Sequence, residues 1–286
     1  MNKVSVPREN QITYALELKM KVPYEIYIND IKGGYDYIGA NSAVELNPYV
    51  LEKGKVKIRI VILPIAGKNE ISIQDLKESS VKFGYYYFDN KTGKVKDYSA
   101  ENFNPLSLNI PTKPLPSYEQ EWEVQADKIP YKLEGWRDGQ DLSKMDKKQL
   151  EKKVKLFYEK SRVILNSGNF ESWKKITAKR FAEFTVYKYL DEQDQLDYLA
   201  LTKEDVEQYA KNTMIPLENY SMKIYADGKV VALEKNIHTK EYNNDDMLDI
   251  YSWSALISKG EVSGASDYPI LLYLPQGSKE FVIIRK

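Results

Sequence analysis

The chain has 286 residues, a formal net charge of zero, an apolar fraction of 42% and no cysteine. The missing cysteines exclude thiol catalysis, disulfide bridges and thiolate metal sites. The apolar share can form real cores, which excludes wholesale disorder, and the length favours two domains over one.

In chain order, QITYALELK (11–19) and VPYEIYIND (22–29) alternate apolar and polar residues, as half-buried strands do. Ile31 to Gly39 is rich in Gly and Tyr and reads as a loop with a short strand. VKIRIVIL (56–63) alternates cleanly and Pro64 ends it. SVKFGYYYF (80–88) is a further strand, and Asp89 to Gly93 has hairpin-turn chemistry. Prolines at 105, 111, 114 and 116 argue against regular structure over Asn104 to Ser117. Tyr118 to Ala126 then alternates Tyr118, Trp122 and Val124 against charges, and Ile129 to Trp136 either closes this module or bridges to the next. Short strands with turn signals between them predict an all-β sandwich over 1–127 and a linker over 128–146.

The stretch YEIYINDI…VELNPYVLEKGKVKIRIVILP resembles the central pattern of jelly-roll β-sandwich domains, through Tyr27, Asn29, Asp30, Asn47, Pro48, Gly54, Ile58, Ile60 and Ile62. That resemblance implies a carbohydrate-binding or spacer module and assigns no site.

From Lys147 to Asp191 runs the longest helical signal, interrupted by a turn at Asn166 to Asn169. Leu150, Val154, Phe157, Tyr158, Ser161 and Leu165 fall on one face, with Lys148, Lys152, Lys155 and Arg162 opposite. Asp146 is placed to cap the first helix and Asn169 the second, whose inward candidates are Phe170, Trp173, Phe181, Phe184 and Tyr187. Thr202 to Asn212 predicts a third helix with a capping box at Thr202 and Asp205. Tyr220–Ala226 and Val230–Lys235 flank Asp227-Gly228, a two-residue hairpin signal. Ile237 to Asp249 reads as a polar loop; Ile250–Ser258, Pro269–Leu274 and Glu280–Ile284 would complete an antiparallel sheet of about five strands.

Helices followed by hairpins give an α+β domain over 147–286. It resembles the NTF2-like cone, helices on a curved sheet, through LFYEKSRVILNSGNFESW, YSMKIYADGKVVAL, SWSALISKG and LLYLPQGSKEFVII. The resemblance implies a pocket between helices and sheet. The aromatic set Tyr158, Trp173, Phe181, Phe184, Tyr187, Tyr225, Trp253, Tyr273 and Phe281 reads first as the core between helices and sheet, and the ligand-pocket candidates within it are Tyr158, Trp173, Phe184, Tyr187, Trp253 and Tyr273.

Catalytic constellations are scarce. The single histidine, His238, falls in a polar loop, so neither a Ser-His-Asp set nor a His-carboxylate metal cluster can be assembled. Glu159 and Glu183 are the helix carboxylates nearest aromatic positions. The clusters at 191–197 and 245–249 lack the glycine and terminal glutamate of a calcium loop and read as solvated loops. Gly33-Gly34 lacks phosphate-cradle spacing. The expectation is therefore no enzyme, no metal and no cofactor.

Charge is segregated: 128–180 holds 15 basic and 7 acidic residues, and 181–249 holds 7 and 15. A pI near 6.7 and lysines confined to one helix face speak against nucleic acid. Partner-interface candidates are Lys148, Lys152, Lys155, Asp191, Asp194, Asp245 and Asp246. No apolar run of ~18 residues occurs, so no membrane span is expected. The opening residues lack a signal-peptide core, which gives a cytoplasmic protein if Met1 is native. The expected function is non-enzymatic protein binding, in a layout similar to bacterial toxin-immunity and accessory proteins. The alternative is small-molecule or glycan binding through the cone or the sandwich face. A hydrolase or isomerase of the NTF2-like type would need a buried carboxylate of raised pKa. NTF2-like sheets often pair, which leaves a homodimer open.

Overall fold

The computed structural model describes residues 6–7, 10–39, 41–89, 94–96, 100–236, 240–243, 246–249, 251–259 and 265–286; in 88–89, 94–96, 100, 240–243 and 246–249 it describes the backbone alone. Among the described residues the fold is mixed α and β, with antiparallel sheets and five α-helices. Its contacts divide the chain into two compact units, Met1–Leu133 with Val186–Leu190, and Glu134–Thr185 with Asp191–Lys286.

The first unit holds β1 (Ile12–Lys19), β2 (Tyr24–Ile28), β3 (Ile31–Asp36), β4 (Ser42–Glu45), β5 (Lys55–Ile62), β6 (Ser80–Asp89), β7 (Lys94–Lys96), β8 (Asn104–Leu106) and β9 (Tyr118–Gln125), with α1 (Ile73–Glu78) before β6. They form two antiparallel sheets, one in the order β4-β1-β6-β7 with β8 also on β6, the other β3-β2-β5-β9. Alternation decides which face is buried. Val56, Ile58, Ile60 and Ile62 of β5 and Tyr24, Ile26 and Ile28 of β2 are buried, while Lys55 and Lys57 are exposed. Each buried aliphatic side chain contributes roughly 1.5–3 kcal/mol.

Asn47, almost wholly buried, holds the end of β1. Its Oδ1 accepts the Tyr14 N–H at 3.0 Å, and its Nδ2 donates to the carbonyls of Ile12 (2.9 Å) and Tyr187 (3.4 Å). The Tyr189 hydroxyl also donates to the Ile12 carbonyl, at 2.8 Å. A remote five-residue segment thus completes this unit, which local pattern could not announce.

Other departures have local causes. α1 forms because the Ser72 hydroxyl accepts the Asp75 N–H. Pro105 sits in the short strand β8, where a missing N–H is tolerated at a sheet margin. The expected hairpin turn at 90–93 lies outside the described residues.

The stretch expected as a linker is folded. Residues 128–133 belong to the first unit, with Ile129, Tyr131 and Leu133 buried and the Leu133 N–H on the Leu51 carbonyl at 2.7 Å. Residues 134–146 belong to the second, with Trp136 and Leu142 buried and the Leu142 N–H on the Gly228 carbonyl at 2.7 Å.

In the second unit α2 (Lys147–Asn166) is capped by Asp146, which accepts the Gln149 N–H at 2.9 Å. Gly168, at φ +66°, turns the chain and Asn169 caps α3 (Phe170–Ile176). The second helical segment is not continuous: Thr177 separates α3 from α4 (Ala178–Tyr187), its hydroxyl donating to the Trp173 carbonyl at 2.8 Å. α5 (Glu192–Glu204) begins earlier than the sequence predicts. Its capping box is Asp191 with Asp194, and Thr202 lies inside the helix, donating to the Tyr198 carbonyl. Asp191 to Asp197 is therefore a cap and helix turns rather than a loop. A wider-turned π-helical stretch, Asp205–Ala210, follows and buries Val206 and Ala210.

Strands β10 (Tyr220–Tyr225) and β11 (Val230–Lys235) enclose Ala226 to Lys229, with φ positive at Ala226, Asp227 and Gly228. The turn thus has four residues where two were expected. Next come the hairpin β12 (Lys240–Asn243) and β13 (Asp246–Asp249), then β14 (Ile257–Lys259), β15 (Ala265–Asp267), β16 (Leu271–Tyr273) and β17 (Val282–Arg285). The main sheet is four-stranded, β10-β11-β16-β17, while β14 pairs with β15 and bridges Met214 through Ser258. Leu150, Val154, Tyr158 and Leu165 of α2 and Trp173 of α3 share one apolar cluster with Val231, Leu233, Leu272 and Ile283 of the sheet. Among the described residues no helix is long and apolar enough to cross a membrane.

Candidate protein-interaction faces

Of the pocket candidates, Tyr158, Trp173, Tyr187 and Tyr273 are buried and Phe184 and Trp253 half-buried. Tyr158 is fully buried; its hydroxyl donates to the Ile270 carbonyl at 2.8 Å and accepts the Leu233 N–H at 3.0 Å. Burial pushes that phenol far above its ordinary value. Trp173 is 2% exposed in the same cluster. Phe184 is half-buried with its ring 4.5 Å from that of Tyr198, Trp253 is half-buried, and Tyr273 is buried on β16. Tyr187 belongs to the first unit.

The carboxylates weighed as acids or bases are engaged. Glu183 is buried, with Oε2 2.7 Å from Arg285 Nη1 and Oε1 accepting the Gly135 N–H at 2.9 Å. Arg285, 1% exposed, lies 5.2 Å from the Trp136 ring centroid, and Lys179 Nζ stands 3.4 Å from Glu183. Opposite charges are matched in this cluster, as burial of ions demands, although among the described residues Glu183 Oε2 itself accepts no hydrogen bond. Glu159 pairs with Arg162 at 2.8 Å. Burial raises the Asp267 carboxyl, whose Oδ2 accepts the Ser254 N–H at 2.9 Å. Among the described residues no three His, Cys, Asp or Glu side chains group to hold a metal ion. His238 and Asp245 lie outside the described residues, and Asp246 is described by its backbone only.

The basic candidates form a real surface. Lys148, Lys152 and Lys155 are exposed on α2 and none has an ion-pair partner among the described residues; Lys155 stands 6.0 Å from the Tyr220 ring. Two apolar residues outside the buried stripe share this outer side, Leu156 at 71% and Val163 at 58% exposure. Lys152, Leu156, Lys160 and Val163 are spaced i, i+4, i+8 and i+11, so they share one helix face. Leu156 and Val163 were legible in the sequence as apolar positions out of phase with the buried stripe. The acidic candidates behave differently. Asp191 and Asp194 cap α5, which buries none of its own residues and exposes Leu196 and Leu201.

The first unit presents a tyrosine-rich sheet face. Glu25 on β2 accepts from the Tyr27 hydroxyl (2.7 Å) and the Tyr37 hydroxyl (2.6 Å), with Lys32 Nζ at 3.1 Å. Burial alone would raise this carboxyl, but Lys32 and the two phenols outweigh it and hold it below its ordinary value. The Arg59 guanidinium lies 3.9 Å from the Tyr27 ring centroid. Beside this face is an open cleft of about 380 Å³, lined by Gly33, Gly34 and Tyr35 of β3, Ser42 to Glu45 of β4, and Pro48 and Tyr49. Sequence reasoning missed β4, because four residues without aromatic or multiple β-branched side chains give no strand signal.

Comparison of the chain with protein-family models, curated proteins and solved structures found no match.

Proposed function

We propose that this chain is a non-enzymatic protein-binding module, a β-sandwich followed by an NTF2-like cone, of the bacterial immunity or accessory kind. It would act by occlusion, covering the active site of a cognate toxin or a secretion-system component. The observation that carries the reading is the outer face of α2, where Leu156 and Val163 stand exposed among Lys148, Lys152, Lys155 and Lys160. Apolar anchors ringed by charge are how protein interfaces combine affinity with steering. The occupied interior beneath α2, around Tyr158 and Trp173, supports surface recognition over a ligand held inside the cone. A second reading, small-molecule or glycan binding by the first unit, draws on the cleft beside Tyr35.

The test is affinity capture of the tagged protein from its native host, beside a Lys148→Glu, Lys152→Glu, Lys155→Glu variant and a Leu156→Asp variant. One stoichiometric protein partner lost from both variants is expected. Absence of any stoichiometric partner overturns the proposal, and retention by all forms removes α2 as the face.

A further inference from the structure

Backbone hydrogen bonding in the first unit leaves one sheet margin unlike the others. β3, β4, β7, β8 and β9 are the marginal strands of its two sheets, and β8 carries Pro105. Strand margins are normally guarded by charge, proline or bulges, because their open N–H and C=O groups invite another strand. β9 carries Glu119, Glu121 and Glu123, and β7 carries Lys94 and Lys96. β3 carries Lys32 and a register shift opposite Ile26 and Tyr27. β4 reads Ser-Ala-Val-Glu, its register with β1 is unbroken, and its first three residues are small or apolar and uncharged.

The phase of the β1–β4 ladder shows which groups face outward. The Leu46 N–H bonds the Tyr14 carbonyl at 2.8 Å, and the register continues Leu16 to Val44 and Leu18 to Ser42. Bonded and non-bonded rungs alternate in an antiparallel pair. Ser42 and Val44 therefore bond β1, while the backbone N–H and C=O of Ala43 and Glu45 point away from it. Among the described residues β4 pairs with β1 alone. Its open margin borders the 380 Å³ cleft, whose other wall is β3. Gly34 allows that close approach, since a Cβ there would lie 2.8 Å from Val44 Cγ2. At the end of β4, the Tyr86 hydroxyl donates to the Glu45 carboxylate at 3.1 Å and Lys188 pairs with it, which fixes its position.

We propose that β4 is a strand-addition site for an extended segment of a partner protein. The segment bonds the N–H and C=O of Ala43 and Glu45, places one side chain in the cleft, and presents β-branched residues with a cationic or hydroxyl residue opposite Glu45. The inference takes its partner class from the protein-binding reading but uses no residue of α2, so the two fail separately.

Random peptides displayed on phage are panned on the wild type, and the enriched ones measured on Ala43→Pro and Ala43→Ser. Proline removes an outward N–H without removing a bond to β1, whereas serine keeps it. Expected are β-branched extended peptides that bind wild type and Ala43→Ser alike and lose roughly tenfold or more on Ala43→Pro, with thermal unfolding unchanged. Equal binding to Ala43→Pro, or no enriched peptide, overturns the proposal. So does a wild-type dimer that Ala43→Pro dissolves, which would give the margin to a second copy. Oligosaccharide binding lost in Tyr35→Ala but kept in Ala43→Pro would give the cleft to a sugar. Should Ala43→Pro fail to fold, hydrogen exchange on the wild type decides: bound peptide must slow the Ala43 and Glu45 amides, and unchanged exchange rejects the site.

Discussion

The hydroxyl of Tyr158 in the second unit is taken by two backbone groups inside the core, whereas those of Tyr27 and Tyr37 in the first converge on the Glu25 carboxylate of a sheet face. The contrast extends to charge. Glu183 and Arg285 are sealed together in the second unit, while Arg59 on the first unit's sheet stands among Asp30, Glu119 and Glu121 at 3.5 to 3.8 Å, all of them at least partly wet. Polar groups in the second unit's interior are committed to holding the fold. Arg59 and its carboxylates on the first unit's sheet retain contact with solvent and so with a partner. A tyrosine-rich composition, 23 Tyr against 8 Phe, therefore does not say by itself where recognition occurs.

The sharpest way to break this comparison is to remove one member of the buried pair. Glu183→Ala or Arg285→Met should each cost about 3–5 kcal/mol in urea unfolding, because either leaves a buried charge without its counterion. The double variant Glu183→Leu/Arg285→Met should recover most of that loss; additive losses would mean that the residues act independently. Next in size, Tyr158→Phe should cost about 1–3 kcal/mol, since the Leu233 N–H loses its acceptor inside the core. Tyr37→Phe at the wet sheet face should cost less, and equal values would erase the distinction between the units.

The pH dependence sharpens it further, since two carboxyls are displaced in opposite directions. Glu25 is held below its ordinary value by Lys32 and the phenols against the effect of burial. Its stabilising share is full above the unfolded value of ~4.3 and is lost as pH falls through the lower folded value. Asp267 is raised by burial, so its share is full below the unfolded value of ~3.9 and is lost as pH rises through the higher folded one. Unfolding measured from pH 3 to 7 should lose acid sensitivity in Glu25→Gln and gain stability near neutrality in Asp267→Asn. The smallest effect is expected on α2. Each of Lys148→Glu, Lys152→Glu and Lys155→Glu should change stability by no more than about 0.5 kcal/mol while altering partner capture.

Local chemistry made much of the chain legible before any coordinates. Asp146 and Asn169 cap helices because their short oxygens reach the N–H three residues on, and Val56 to Ile62 alternate because one strand face is dry. The buried stripe of α2 follows from helical period, and Leu150, Val154, Tyr158, Ser161 and Leu165 are all buried. Where the same letters serve two structures, local reading failed. Thr202-x-x-Asp205 resembles a capping box yet lies in a continuing helix, and Asp191-x-x-Asp194, taken for loop, is the real cap.

Sequence by itself thus determined the repeating faces, most caps and the absence of thiol chemistry, because those depend on residues a few positions apart or on composition alone. Only tertiary structure decided that Glu183 meets Arg285 and that Val186–Leu190 completes the first unit. It likewise decided that Ala43 and Glu45 turn their backbone away from β1. Each depends on groups brought together across long stretches of chain by burial, which no local period encodes.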